Sequence, residues 1–109
     1  MEKVYNKLVR DRIPEIIVSN GGVAFTKILS DEEYKIELEK KLLEEYGEVL
    51  LSKTKEERIE ELADMIEVIR ALAILENSSI EDVLDVAKNK SLKRGCFENK
   101  IYLEKVVEK

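Results

Sequence analysis

Two pairs of carboxylates set the chemistry open to this sequence. Glu45 and Glu48 are three residues apart, as are Glu61 and Asp64. On a helix each pair projects from one side, about 60° apart on the wheel. Two antiparallel helices joined at residues 52–54 would bring the pairs face to face. Four carboxylates converging from two helices make an oxygen-rich cage for a hard divalent cation, Mg²⁺ or Mn²⁺, with waters completing an octahedron. Glu37, Lys41, Glu44 and Glu48 also share a face at i, i+4 spacing, and taken alone they read as an ordinary solvated face. Glu61 and Asp64 do not fit that account. They lie on the line continued by Met65, Val68 and Leu72, so they point where the apolar stripe points, and buried acids need partners. Glu60 and Glu67 carry the outer face.

Composition narrows the alternatives. The 109 residues include no His, no Trp and one Cys, Cys96. That excludes His-based triads, Cys–His nucleophile pairs, zinc fingers and an internal disulfide. Carboxylates, Lys, Arg, Tyr and hydroxyls remain. The formal net charge is −5, distributed unevenly: residues 1–12 are net +2, residues 88–109 net +4 and residues 13–87 net −11. An acidic centre with basic ends suits a metal-plus-phosphate site, although charged solvated helix faces give the same pattern. Nucleic acid is disfavoured as a partner by the net charge and by the lack of a basic stripe with interleaved aromatics. No apolar run reaches the roughly 20 residues of a membrane span, and the first residues lack a signal-peptide pattern, so the expected setting is the cytoplasm without membrane contact.

The elements that must position these acids are legible. Length indicates a single domain spanning 1–109. Asp11 can cap a short helix with Pro14 in its first turn, ending at Asn20-Gly21-Gly22. Ser30 with Glu33, and Thr54 with Glu57, read as capping boxes, and Ser79 with Asp82 as a weaker one. The helices then run about 31–52, 55–76 and 80–94, the last closed by Gly95. Residues 23–29 and 101–107 are rich in β-branched and aromatic side chains and are expected to pair as a two-stranded ribbon packed on helices. The expected fold is an all-α antiparallel bundle of four helices with that small β ribbon near the termini. Helix 55–76 is apolar around nearly its whole circumference, so it must be surrounded. A chain this short cannot do that alone, and a dimeric core, or a dimer of dimers, is expected.

Glu44-Glu45-x-x-Glu48 followed by Glu61-x-x-Asp64 resembles the EExxE and ExxD signature of the MazG-like all-α nucleoside triphosphate pyrophosphatases, a superfamily that includes phosphoribosyl-ATP pyrophosphohydrolase. The run from Tyr5 to Ile17, YNKLVRDRIPEII, is similar to the NKLVRDKIPEII opening of one subgroup, and Lys90-x-x-x-Arg94-Gly95-Cys96-Phe97 to its KxxxRGGF segment. Cys96 stands where that subgroup has a second Gly. The resemblance implies Mg²⁺-dependent cleavage between the α and β phosphates of a nucleotide, giving a monophosphate and pyrophosphate. It implies Glu45, Glu48, Glu61 and Asp64 as metal ligands and Glu44 as the residue that orients or deprotonates water. Lys7, Arg10, Lys90 and Arg94 become candidates for phosphate contacts. Arg94 also suits a helix-dipole role in the last turn before Gly95. Phosphoryl chemistry of this kind needs cations and positioned water but no covalent nucleophile.

Three functions fit these residues. The leading one is house-cleaning hydrolysis of non-canonical or excess nucleotides. A phosphoribosyl-ATP or deoxynucleotide-specific hydrolase is the second, because the motifs do not include the residues that read a base. The third is a non-catalytic helical dimerisation module, which has no chemical need for acids in an apolar stripe.

Overall fold

Each long helix begins where a hydroxyl can replace a missing backbone acceptor. Ser30 Oγ accepts from the Glu33 amide and Glu33 Oε1 accepts from the Ser30 amide, both at 3.2 Å, so the capping box is complete. Thr54 Oγ1 accepts from the Glu57 amide at 3.1 Å, but the Glu57 carboxylate reaches one residue further back, to the Lys53 amide at 2.9 Å. Ser79 Oγ accepts from the Asp82 amide at 3.1 Å, while Asp82 accepts from the Ser78 hydroxyl at 3.0 Å. The short first helix departs from expectation: its N-cap is Arg12 rather than Asp11, and no side chain caps it. Pro14 in its first turn leaves one amide fewer to satisfy.

These starts define four helices in the computed structural model, which describes residues 1–109: α1 (Ile13–Ser19), α2 (Asp31–Leu51), α3 (Lys55–Leu75) and α4 (Ile80–Arg94). α4 ends at Gly95, φ +82°, whose amide donates to Ser91, and two other helices end in a longer turn that also needs a left-handed residue. After α1, Gly21 takes φ +87°, so that its amide donates to Val18 at 3.0 Å and the Gly22 amide to Ile17 at 2.9 Å. After α3, Asn77 takes φ +55°, donating to Ile74 at 3.0 Å while Ser78 donates to Ala73 at 2.9 Å. Both are the six-residue closure that satisfies the last helical carbonyls.

The packed unit is the antiparallel pair α2–α3. The turn at residues 52–54 is tied by Ser52 Oγ and Arg58 Nη1, which both donate to the Val49 carbonyl, at 2.6 and 3.0 Å. Positions equidistant from Lys53 then meet. Leu38 and Val68, each fifteen residues from it, are both buried, as are Val49 and Ala73. The stripe Glu61, Asp64, Met65, Val68, Leu72 is the covered side of α3, as its line on the wheel required. The opposite side, with Ile59, Leu62 and Ile66, is bare. α4 meets α3 near their connecting turn, where Ile80 is buried, and every residue from Glu81 onward is exposed.

The chain is therefore all-α with four helices, but the expected β ribbon is absent. Residues 23–29 and 101–107 form no strand. A two-stranded ribbon needs a helical face to cover it, and neither segment has one: Phe25 is 95% exposed, Ile28 97% and Tyr102 88%. α4 departs from the hairpin and carries residues 101–107 with it. No helix is long and apolar enough to cross a membrane.

Candidate metal centre

Glu45 on α2 and Glu61 on α3 both lie eight residues from Lys53, so the hairpin sets them opposite one another. Asp64 is the next residue on the covered side of α3. One carboxylate oxygen from each of Glu45, Glu61 and Asp64 lies within 4.8 Å of the others. Glu45 is the one buried charged residue of the chain, while Glu61 and Asp64 are half-buried.

Three like charges at this spacing repel, and Glu61 is both partly desolvated and surrounded by them. Loss of solvent raises its pKa above the ordinary 4.5, and the charges of Asp64, Glu45 and Glu48, with a hydrogen bond to Glu45, push the same way. The set is all hard oxygen, from two rigid elements, and over-rich in negative charge. Such a set could hold a hard divalent cation, and the residues present fit one. Glu48 stands differently from the other three. It is exposed and outside the close group, near enough to act on Glu61 through charge.

Cations enclose the acids on two sides. Residues 1–12 run past the hairpin without helix or strand, and from this strap Arg10 Nη2 donates to Asp64 Oδ1 at 2.7 Å and Lys7 Nζ to Glu44 Oε1 at 3.1 Å. From within α2, Lys41 lies 3.4 Å from Glu44 Oε2 and 3.6 Å from Glu45 Oε1. Both oxygens of Glu44 are thus held by lysines. Its partial burial pulls the pKa upward, but Lys7 and Lys41 together outweigh that and hold it below 4.5. A continuous series of charges results: Lys7, Glu44, Lys41, Glu45, Glu61, Asp64, Arg10.

Of the residues singled out from sequence, the fold thus brings together Glu44, Glu45, Glu61, Asp64, Lys7 and Arg10, with Glu48 at the margin. It does not bring Lys90 and Arg94 to them. Both are exposed on α4, which diverges from the hairpin, and neither makes an ion pair within the chain. Lys41 is the participant that sequence reasoning passed over as part of a solvated face. Its placement three and four residues before two acids, with only 18% of the side chain exposed, makes it an internal counter-charge instead.

No family model matches the chain, and no solved structure matches it. An uncharacterized protein of Mycolicibacterium smegmatis is 43% identical over 54 residues, half of this chain. The matched stretch spans 55% of that relative's own length.

Proposed function

We propose that the chain is a Mg²⁺-dependent nucleoside triphosphate pyrophosphohydrolase, with Mn²⁺ as an alternative ion. The supporting observation is the convergence of Glu45, Glu61 and Asp64 from two helices within 4.8 Å, with Arg10 and Lys7 bound to the same acid-bearing faces. This is the acid-and-cation pattern that the resemblance to MazG-like pyrophosphatases leads one to expect.

In the reaction, water adds to the α phosphorus and the bond from that phosphorus to the α–β bridging oxygen breaks. Nucleoside triphosphate and water become nucleoside monophosphate and pyrophosphate. Glu45, Glu61 and Asp64 would hold the divalent ion, with Glu48 contributing at the margin; the ion supplies charge neutralisation on the phosphates when bound. Glu44 stays ionised between its lysines and can orient water, accepting its proton once one lysine has left. Arg10 and Lys7 are the cations nearest the acids and serve the phosphates. Lys90 and Arg94 can reach a nucleotide only from another copy of the chain or after α4 has moved.

The partner proposed besides the nucleotide is a second copy. Ile59, Leu62 and Ile66 make an apolar strip on the outer side of α3 that nothing in the chain covers, beside a small core. Sedimentation equilibrium should give a dimer or larger at micromolar concentration, and Ile66→Glu should shift it to the 12.6 kDa monomer. A monomeric native protein rules the dimer out. For the setting we propose the cytoplasm, where an exposed, unpaired Cys96 is kept reduced.

The activity is tested by offering common and damaged nucleoside triphosphates with Mg²⁺ and resolving the products by phosphorus NMR. Monophosphate and pyrophosphate are expected from at least one, with turnover abolished in Glu61→Gln. Diphosphate and orthophosphate, or turnover retained by Glu61→Gln, overturns the assignment.

A further inference from the structure

The strap is fastened to the hairpin by charge and hardly at all by burial. Of residues 1–12, only Leu8 is half-buried; Val4, Tyr5 and Val9 are exposed. Its links to the two acid-bearing helices are the Lys7–Glu44 and Arg10–Asp64 pairs, one to each helix. A segment with few apolar contacts and exposed polar links opens at low cost. Arg10 also occupies Asp64 Oδ1, an oxygen of the carboxylate that would ligate the ion. A guanidinium and a divalent cation cannot both take the same lone pairs at full strength, so each must weaken the other.

We propose that Arg10, supported by Lys7, is a resident counter-ion that a divalent cation displaces. Without the ion, the strap neutralises Asp64 and Glu44 and holds α2 and α3 at their acid-bearing faces. The ion takes over Asp64, and Arg10 leaves with the strap, free to meet an incoming phosphate. This rests on the metal-site reading above and adds an order of events: cation first, strap second, phosphate third. Arg12, two residues on, serves as the internal control. It carries the same charge but pairs with Glu15 on α1 rather than with the acid group.

Calorimetric titration of the full chain with Mn²⁺ at low ionic strength tests the displacement. Removing Arg10 frees Asp64, so Arg10→Ala should bind Mn²⁺ about two- to fivefold more tightly than wild type, the range expected from an exposed ion pair. Arg12→Ala should bind as wild type does. A second readout uses the wild-type chain alone: Mn²⁺ should speed tryptic cleavage within residues 3–12 severalfold, followed by mass spectrometry. If Arg10→Ala binds no more tightly than a wild type that does bind, if Arg12→Ala tightens binding equally, or if Mn²⁺ protects the strap, the counter-ion role is overturned and the metal site stands. If neither wild type nor Arg10→Ala binds Mn²⁺, the metal-site reading falls and this inference with it.

Discussion

The α2–α3 hairpin and the arm formed by α4 with residues 95–109 are built with similar local devices, yet only one of them has an interior. Both open on a hydroxyl cap, and both carry apolar residues at helical spacing. In the hairpin the stripes of two helices face each other, and Leu38, Val49, Val68 and Ala73 are covered. In the arm, Val83, Leu84, Val86 and Leu92 have no facing helix, and all are exposed. A cap and a periodic pattern are enough to start and continue a helix. Burial needs a second stripe within reach: the connection at 52–54 folds α3 back onto α2, whereas the one at 76–79, with Asn77 at φ +55°, leads α4 away.

The sharpest way to break that contrast is paired truncation. Leu38→Ala removes a buried side chain and should cost about 2 to 5 kcal/mol in urea unfolding. Leu84→Ala, 55% exposed, should cost under about 0.5 kcal/mol. Equal costs would mean that the arm is covered in solution. Next in size come the caps, which should not distinguish the regions at all. Ser30→Ala in the hairpin and Ser79→Ala in the arm each lose one side-chain acceptor, and each should cost about 1 kcal/mol. A cap that matters only in the hairpin would show that α4 is not independently held.

Smaller still is the response to pH of three carboxylates of the hairpin, Glu33, Glu44 and Glu61. The pKa of Glu61 is raised in the fold, so the folded chain binds that proton more tightly than the unfolded chain does. In chelator, stability should therefore increase as pH falls from 8 toward the ordinary carboxylate value of 4.5. Glu33 and Glu44 act in the opposite sense. Their pKa values are lowered, so the stability they contribute is present above 4.5 and lost as pH falls further, through the folded values. Melting temperature against pH should peak in mildly acidic solution. Glu61→Gln should flatten the limb above the peak and raise the melting temperature of the metal-free chain at pH 8, since an amide removes the repulsion at nearly constant shape. A limb unchanged in Glu61→Gln would assign it to another carboxylate.

Helix starts were legible because a cap acts within four residues of chain. Ser30, Thr54 and Ser79 each have their hydroxyl on the amide three positions on; the partners of the Glu57 and Asp82 carboxylates and the uncapped start of α1 at Arg12 differ from expectation. The meeting of Glu45 with Glu61 was legible for a related reason: a three-residue turn between two helices leaves few antiparallel registers, and the two acids are equally far from its middle. The ribbon was not legible, because residues 23–29 and 101–107 satisfy a β pattern individually while pairing depends on where α4 goes, a matter settled by packing rather than by local spacing. Lys41 was misread because i, i+4 charge patterns look alike on a wet face and on a covered one. Its 18% side-chain exposure and its pairing with Glu44 and Glu45 set it apart from a wet face.

The reach of the arm has a hydrodynamic consequence. With a radius of gyration of 18.7 Å, against about 13 Å for a compact domain of some hundred residues, and extents of 66 × 35 × 24 Å, a single chain would diffuse as a much larger sphere. On a sizing column it would elute ahead of globular standards of 12.6 kDa, at a volume that a compact dimer could share. Light scattering weighs the particle instead of timing it. It would separate the long monomer from the short dimer in one run.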